Sequence, residues 1–249
     1  MACRIQKSNQ WFIRLKAEMP YHKKTSFITL TYSPKEMPKN EELVKKDLQD
    51  FWKRLRKVIQ VPIKYYAVGE YGEKFGRPHY HAITYGVGIE DKKIIYEEWN
   101  KGQIHAGTVT EKSLRYVIDY TQKKLYGDEA RKEYGERLPP FSLMSKGLGL
   151  QYAMKNRQQL VDNLCIKINK KEVTIPRYYV KKLEINPLRM RIRAEKKKQE
   201  VYNRLSGDEQ IDENTLFLLN RREVFQKNLE QLMRKNAYSC KRTLDKLNG

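Results

Sequence analysis

The chain has 249 residues, with 51 Lys and Arg against 30 Asp and Glu, a formal net charge of +21. Hydrophobic residues make up 39% and there are 17 tyrosines, enough to build a core, which excludes a wholly disordered chain. The longest apolar runs, Tyr65 to Val68 and Leu216 to Leu219, fall far short of the roughly 20 residues a membrane-spanning helix needs, so no membrane partner is expected.

The N-terminal stretch lacks the apolar centre of a secretory signal. The three cysteines, Cys3, Cys165 and Cys240, are odd in number, far apart and without zinc-finger spacing. That pattern argues against a disulfide framework and for a reducing cytoplasm. A positive charge of this size, interleaved with Tyr, Phe and Trp, points to a polyanion whose phosphates are neutralised and whose bases can stack.

In chain order, Phe27 to Tyr32 alternates and is rich in β-branched and aromatic types, which predicts a strand. Asn40 to Ile59 spaces Leu43, Leu48, Phe51, Trp52, Leu55 and Val58 as one face of a helix. Ile63 to Val68 and His79 to Tyr85 read as strands of a hairpin, joined by a turn-rich loop over Gly69 to Pro78. Asp91 to Trp99 reads as a short helix and Gln103 to Val109 as a fourth strand. Glu111 to Leu125 reads as a helix with Thr110 as its N-cap.

The order β-α-β-β-α-β, then a helix, predicts an α+β fold with a central antiparallel sheet of the ferredoxin-like split type and helices on one face. Further on, Cys165 to Ile168 and Val173 to Ile175 read as a hairpin, and Ile211 to Met233 as an amphipathic helix. Two regions are expected: a catalytic domain over 1–182 and a basic, helical C-terminal accessory region over 183–249, opening with RMRIRAEKKK.

Two of the four histidines stand in His79-Tyr80-His81. On a strand, residues i and i+2 share a face, so both imidazoles address one point while Tyr80 faces away. Glu70, before the turn of the hairpin, can fold back beside them, with Glu73 as its competitor. Two imidazoles and one carboxylate leave positions open for substrate, as a catalytic metal requires. Downstream, Tyr116 and Tyr120 are i,i+4 neighbours, with Lys123 and Lys124 a turn further on. They either line a phosphate site or simply pack as an aromatic stripe on the sheet.

Phe27-Ile-Thr-Leu-Thr-Tyr32, Arg77-Pro-His-Tyr-His-Ala-Ile83 and Tyr116-x3-Tyr120-x2-Lys123 occur in the order of the three motifs of HUH endonucleases. The chain thus resembles the rolling-circle replication initiators of small single-stranded DNA replicons, in particular those of gokushovirus-like phages of the Microviridae. The most specific part is Gly69-Glu-Tyr-Gly-Glu-x-x-Gly-Arg-Pro-His-Tyr-His81.

The resemblance implies the HUH endonuclease fold and a sequence-specific nickase and strand-joining enzyme. Glu70, nine residues before His79, would complete a site for Mg²⁺ or Mn²⁺ with His79 and His81. Tyr120 would attack first, leaving a 5′-phosphotyrosine. Tyr116 would serve the second step, and Lys123 would orient the phosphate. In two-tyrosine relatives a Lys typically follows each tyrosine by three residues; here Tyr120 has Lys123 but Tyr116 has Asp119. The implied partners are single-stranded DNA at a replication origin and a host polymerase or helicase, in a host bacterial cytoplasm.

Other classes fit parts of the sequence. The sheet order also suits a non-enzymatic RRM-like nucleic-acid-binding protein, although no RNP1-like motif is present. The three ligands alone would suit a metallohydrolase or iron oxygenase. A transposase or relaxase would share the nicking chemistry.

Overall fold

The computed structural model describes residues 2–72, 76–120, 127–168 and 171–206. The chain divides into two compact units, Met1–Ile185 and Asn186–Gly249.

The first unit opens with α1 (Ala2–Glu18) and a single 3₁₀ turn, Met19–Tyr21. Then come β1 (Thr25–Thr31), α2 (Lys45–Val58), β2 (Lys64–Tyr71), β3 (Pro78–Tyr85), α3 (Lys92–Trp99), β4 (Ile104–Gly107) and α4 (Glu111–Asp119). After α5 (Gly127–Tyr134), β5 (Phe141–Met144), α6 (Leu150–Lys155) and α7 (Arg157–Asn163), a small hairpin forms from β6 (Cys165–Ile168) and β7 (Lys171–Thr174). The unit closes with α8 (Arg177–Lys182).

The main sheet has the order β4-β1-β3-β2-β5, with every neighbouring pair antiparallel. Its first four strands are in the ferredoxin-like split arrangement, in which β3 lies between β1 and β2. The fold is therefore α+β with a central antiparallel sheet, as expected. The fifth strand, which zips Phe141–Met144 along β2, is an addition the sequence reading did not contain.

Helices cover both faces of the sheet, not one. On the first face Ile28, Leu30, Ala67, Tyr80 and Ala82 meet Leu48, Phe51, Trp52 and Leu55 of α2 and Ile95 and Trp99 of α3. On the second, Tyr66, Val68, Ile83 and Tyr85 meet Phe12 and Leu15 of α1 and Leu114, Val117 and Ile118 of α4. The cause lies in β3, which carries large apolar side chains on both faces, so two helical layers are needed to exclude water.

Helix α2 starts at Lys45, five residues later than its sequence pattern suggests. The reason is two phenols. The Leu43 N–H donates to Tyr71 Oη at 3.2 Å, and the Val44 N–H to Tyr80 Oη at 2.8 Å. They hold the approach in extended geometry, with Val44 at φ −111° and ψ 100°. Thr110 caps α4 as expected: its hydroxyl accepts from the Ser113 N–H at 3.1 Å, and Ser113 Oγ accepts from the Thr110 N–H at 2.8 Å. The β6–β7 hairpin is present as read. The expected helix over Ile211 to Met233 lies outside the described residues.

Glu18, at the end of α1, is fully buried. Its carboxylate accepts from Lys64 Nζ at 2.6 Å and from the Gly149 N–H at 2.6 Å, and lies 2.8 Å from His22 Nε2. Gly149 has φ +75°, and a Cβ there would sit 2.4 Å from Tyr179 Oη, so only glycine fits this approach. Burial raises the Glu18 pKa, but the hydrogen bonds from His22, Lys64 and Gly149 outweigh it and the net shift is downward. A depressed carboxyl pKa stabilises the fold above the ordinary carboxylate range, and that contribution is lost as pH falls through the folded-state value. Glu18→Ala is expected to cost about 2–4 kcal/mol, because it strands a buried N–H and a half-buried ammonium. Urea denaturation at neutral pH measures it; a change below about 0.5 kcal/mol would contradict this account of the α1–α6 junction.

In the second unit, α9 (Pro187–Ser206) is strongly basic, and Leu188 and Ile192 are exposed on it. None of the described helices is long and apolar enough to cross a membrane.

Candidate metal centre and tyrosine pair

The strand register builds the site. Glu70 of β2 pairs directly with His79 of β3, and Val68 pairs with His81. Residues opposed across a ladder share a face, so Glu70, His79 and His81 emerge together on the side covered by α1 and α4. Tyr80 emerges on the other side, where its hydroxyl lies 2.8 Å from that of Tyr32. Glu70 and His81 are each only 5% exposed, so the group is nearly sealed from water.

Both imidazole Nε2 atoms converge on a single oxygen. Glu70 Oε1 lies 2.7 Å from His79 Nε2 and 2.9 Å from His81 Nε2. One ligand atom from each of the three residues lies within 4.8 Å of the others, so the group can hold one metal ion. The outer ring nitrogens are also held. His79 Nδ1 is 3.0 Å from the Arg77 carbonyl, which can only accept, so Nδ1 carries the proton there. His81 Nδ1 is 2.9 Å from Thr29 Oγ1. Outer partners of this kind orient imidazoles that ligate metals.

In neutral His79 the inner nitrogen then presents a lone pair to a carboxylate oxygen. Two acceptors at 2.7 Å need a cation between them, either a proton or a metal ion. This donor set fits a divalent cation. Oxygen favours Mg²⁺, and the two imidazoles shift the preference toward Mn²⁺ or later metals.

The electrostatics follow from burial and this contact. Burial raises the Glu70 pKa, but hydrogen bonds from His79 and His81 outweigh it, and the carboxyl titrates below its ordinary value. His81 is lowered, chiefly by burial, against the opposing pull of Glu70. Burial also lowers His79, but its bonds to Glu70 and the Arg77 carbonyl prevail and the net shift is upward.

Tyr116 and Tyr120 sit on the turn of α4 that faces this group. Their rings are 4.9 Å apart and nearly perpendicular. The Tyr116 ring meets His81 edge-on at 5.0 Å, and the Tyr120 ring stacks on His81 at 5.6 Å with an interplanar angle of 13°. Tyr116 Oη lies 3.5 Å from His81 Nε2. Tyr116 is 44% exposed, so its phenol is open to an incoming strand. The aromatic-stripe reading holds in part, because Tyr120 also packs at the margin of the second-face core. Asp119 turns toward α1, where Ser8 Oγ lies 3.4 Å from its carboxylate. Glu73, Lys123 and Lys124 lie outside the described residues.

The structure adds site neighbours the sequence reading did not name. Thr29 braces His81, and Phe27 lies parallel to the His81 ring at 5.8 Å. Their signal was in the β1–β3 register, which pairs Thr29 with His81 but cannot be fixed from one strand alone. His105 pairs with Thr29 on the far side of β1, on the same sheet face.

An antiparallel α+β sheet with a buried Glu-His-His group beside two phenols defines a class of protein suited to phosphoryl chemistry at a metal. Residues 25–125 match the family model of the ORF2-type replication-associated proteins, and that part of the chain belongs to the family. Replication-associated protein ORF2 of Spiroplasma virus 4 is 31% identical over 214 residues, covering 74% of this chain and 66% of that protein. Replication-associated protein VP4 of Bdellovibrio phage phiMH2K is 28% identical over 204 residues, covering 71% and 63%. Replication-associated protein ORF4 of Chlamydia phage 1 is 26% identical over 202 residues, covering 71% and 50%. The chain thus spans between half and about two thirds of these relatives. No solved structure matches it.

Proposed function

We propose that the chain nicks and rejoins single-stranded DNA to initiate rolling-circle replication of a phage genome, acting in the host cytoplasm. The observation that carries this reading is the placement of two tyrosine rings against His81, one of three convergent ligand residues. The replication-associated names of the relatives support the biological setting.

In this reading Glu70, His79 and His81 hold one Mg²⁺ or Mn²⁺, which supplies polarisation of the scissile phosphate and neutralises charge on its non-bridging oxygens. The Tyr120 phenol oxygen attacks phosphorus, and the bond to the 3′ oxygen breaks. The phenol proton is balanced by the proton gained at the leaving 3′ oxygen. The products are a 5′-phosphotyrosine and a free 3′-OH, which primes a host polymerase. Tyr116 attacks in the second step, closing the displaced strand. Lys123 orients the phosphate. The phosphotyrosine conserves the phosphodiester energy, so the reaction consumes no nucleotide.

Residues 1–182 form the nickase domain, and the basic 183–249 region contributes affinity for the origin. Both sheet faces carry packed helices. That leaves no open strand platform of the kind an RRM uses, and it favours the enzymatic reading over pure RNA binding.

The test is incubation of the full chain with Mn²⁺ and single-stranded DNA of the replicon that encodes it, followed by a denaturing gel. A DNA–protein adduct that disappears with EDTA is expected; cleavage unaffected by EDTA would reject the reading. With a formal charge of +21, affinity for the strand should also depend steeply on salt. If roughly six to ten phosphates are contacted, binding weakens about 10³–10⁵-fold between about 50 and 200 mM salt. A flat titration would mean the charge does not serve phosphate binding.

A further inference from the structure

Beside the metal centre lies a cleft of about 370 Å³. It shares Glu70 and Tyr120 with the centre and is otherwise walled chiefly by Tyr71, Tyr134, Arg137 and Glu133. We propose that this cleft is a nucleobase subsite that takes one nucleotide of a single DNA strand beside the scissile phosphate, stacked on Tyr134 and Tyr71 with Arg137 at its edge. The proposal rests on the reading of Glu70, His79 and His81 as a phosphate-directed metal site.

The volume lies at the small end of the roughly 300–1,000 Å³ typical of ligand pockets, which admits one nucleotide and excludes a duplex. The walls are preorganised. Tyr71 Oη accepts from the Leu43 N–H at 3.2 Å and donates to the Leu138 carbonyl at 2.9 Å, so its hydroxyl is held both as acceptor and as donor. The Tyr134 ring lies 5.7 Å from it at 25°, and the Arg137 guanidinium sits 4.7 Å over the Tyr71 ring. Two near-parallel phenols and a guanidinium plane form a platform for any base, since every base has a π face.

The carboxylates of Glu70 and Glu133 decide between base and phosphate. Two acidic groups in the lining repel a bare phosphate but accept hydrogen bonds from base N–H groups. A base in the cleft would leave its own phosphate near the metal ligands, because Glu70 belongs to both sites.

The test uses the full chain and a dodecamer of 5-iododeoxyuridine, irradiated in EDTA so that no cleavage is involved. Cross-linked peptides are mapped, and affinity for dodecathymidylate is measured alongside. Cross-links on Tyr134 or Tyr71 are expected. Tyr134→Ala should weaken binding about 5–150-fold, whereas Tyr134→Phe, which keeps the ring, should stay within about twofold. Arg137→Ala, checked by circular dichroism for an intact fold, should weaken binding as well. Cross-links only outside this cleft, together with wild-type affinity in Tyr134→Ala, would overturn the proposal. So would competition by free thymidine monophosphate at the strength of the oligonucleotide, which would make the cleft a mononucleotide site. If cross-links map here while no Mn²⁺-dependent adduct forms, the nickase reading fails and the base subsite stands.

Discussion

His81→Ala is expected to lose both metal binding and strand cleavage while keeping most DNA affinity. His81 Nε2 supplies one of the three inward ligand atoms, and its ring also backs both tyrosines. Polarisation by a metal is worth several kcal/mol, so cleavage should fall by about 10³-fold or more. His79→Ala, at the more exposed edge of the group, should do the same with less risk to the fold. Calorimetric titration with Mn²⁺ reads the binding loss directly. Metal and proton compete for the same gap between His79 and Glu70, and metal binding needs neutral imidazole. The raised His79 pKa means that its proton is retained to higher pH, so metal affinity should decline as pH falls through that value. Unchanged Mn²⁺ affinity in His81→Ala, or metal affinity that rises as pH falls, would refute the assignment.

The second large effect concerns the phenols. Tyr120→Phe removes only a hydroxyl and preserves the stack on His81, so folding and DNA binding should survive while first-step adduct formation falls to background. Tyr116→Phe should still form the first adduct and fail in strand transfer. Its phenol is the one measured at 3.5 Å from His81 Nε2, so it also has access to the centre. If either phenol can reach the phosphate, each single variant would nick and only the double variant would be inactive, and the proposed order of attack would be wrong. Full activity in the double variant would mean the two rings serve packing alone.

Much of this site was legible because it depends on short-range periodicity. His79-Tyr80-His81 alternates on one strand, Tyr116 and Tyr120 share a helical face, and Thr110 is a capping residue before an apolar periodic run. Each rule acts within about four residues, and each holds in the structure. Less was legible wherever distant segments meet. Helix α1 was missed although Trp11, Phe12 and Leu15 carry helical spacing, because no capping signal announces its start. The four residues of β5 are too few to show alternation, and they become a strand only by pairing with β2. The second helical layer was signalled by Ile83 and Tyr85, apolar residues on the histidine face of β3 that must be covered. The cleft formed by Tyr71, Tyr134 and Arg137 joins two regions about 65 residues apart, a contact no local pattern reports.

The most direct measurement is the residue that carries the DNA. The full chain is incubated with Mn²⁺ and single-stranded replicon DNA, the adduct is digested with nuclease and protease, and the nucleotide-bearing peptide is sequenced by mass spectrometry. The account predicts a 5′-phosphotyrosine on Tyr120, with Tyr116 labelled only when strand transfer is allowed. DNA attached to neither Tyr116 nor Tyr120, or no adduct under conditions in which the strand is cut, would contradict it.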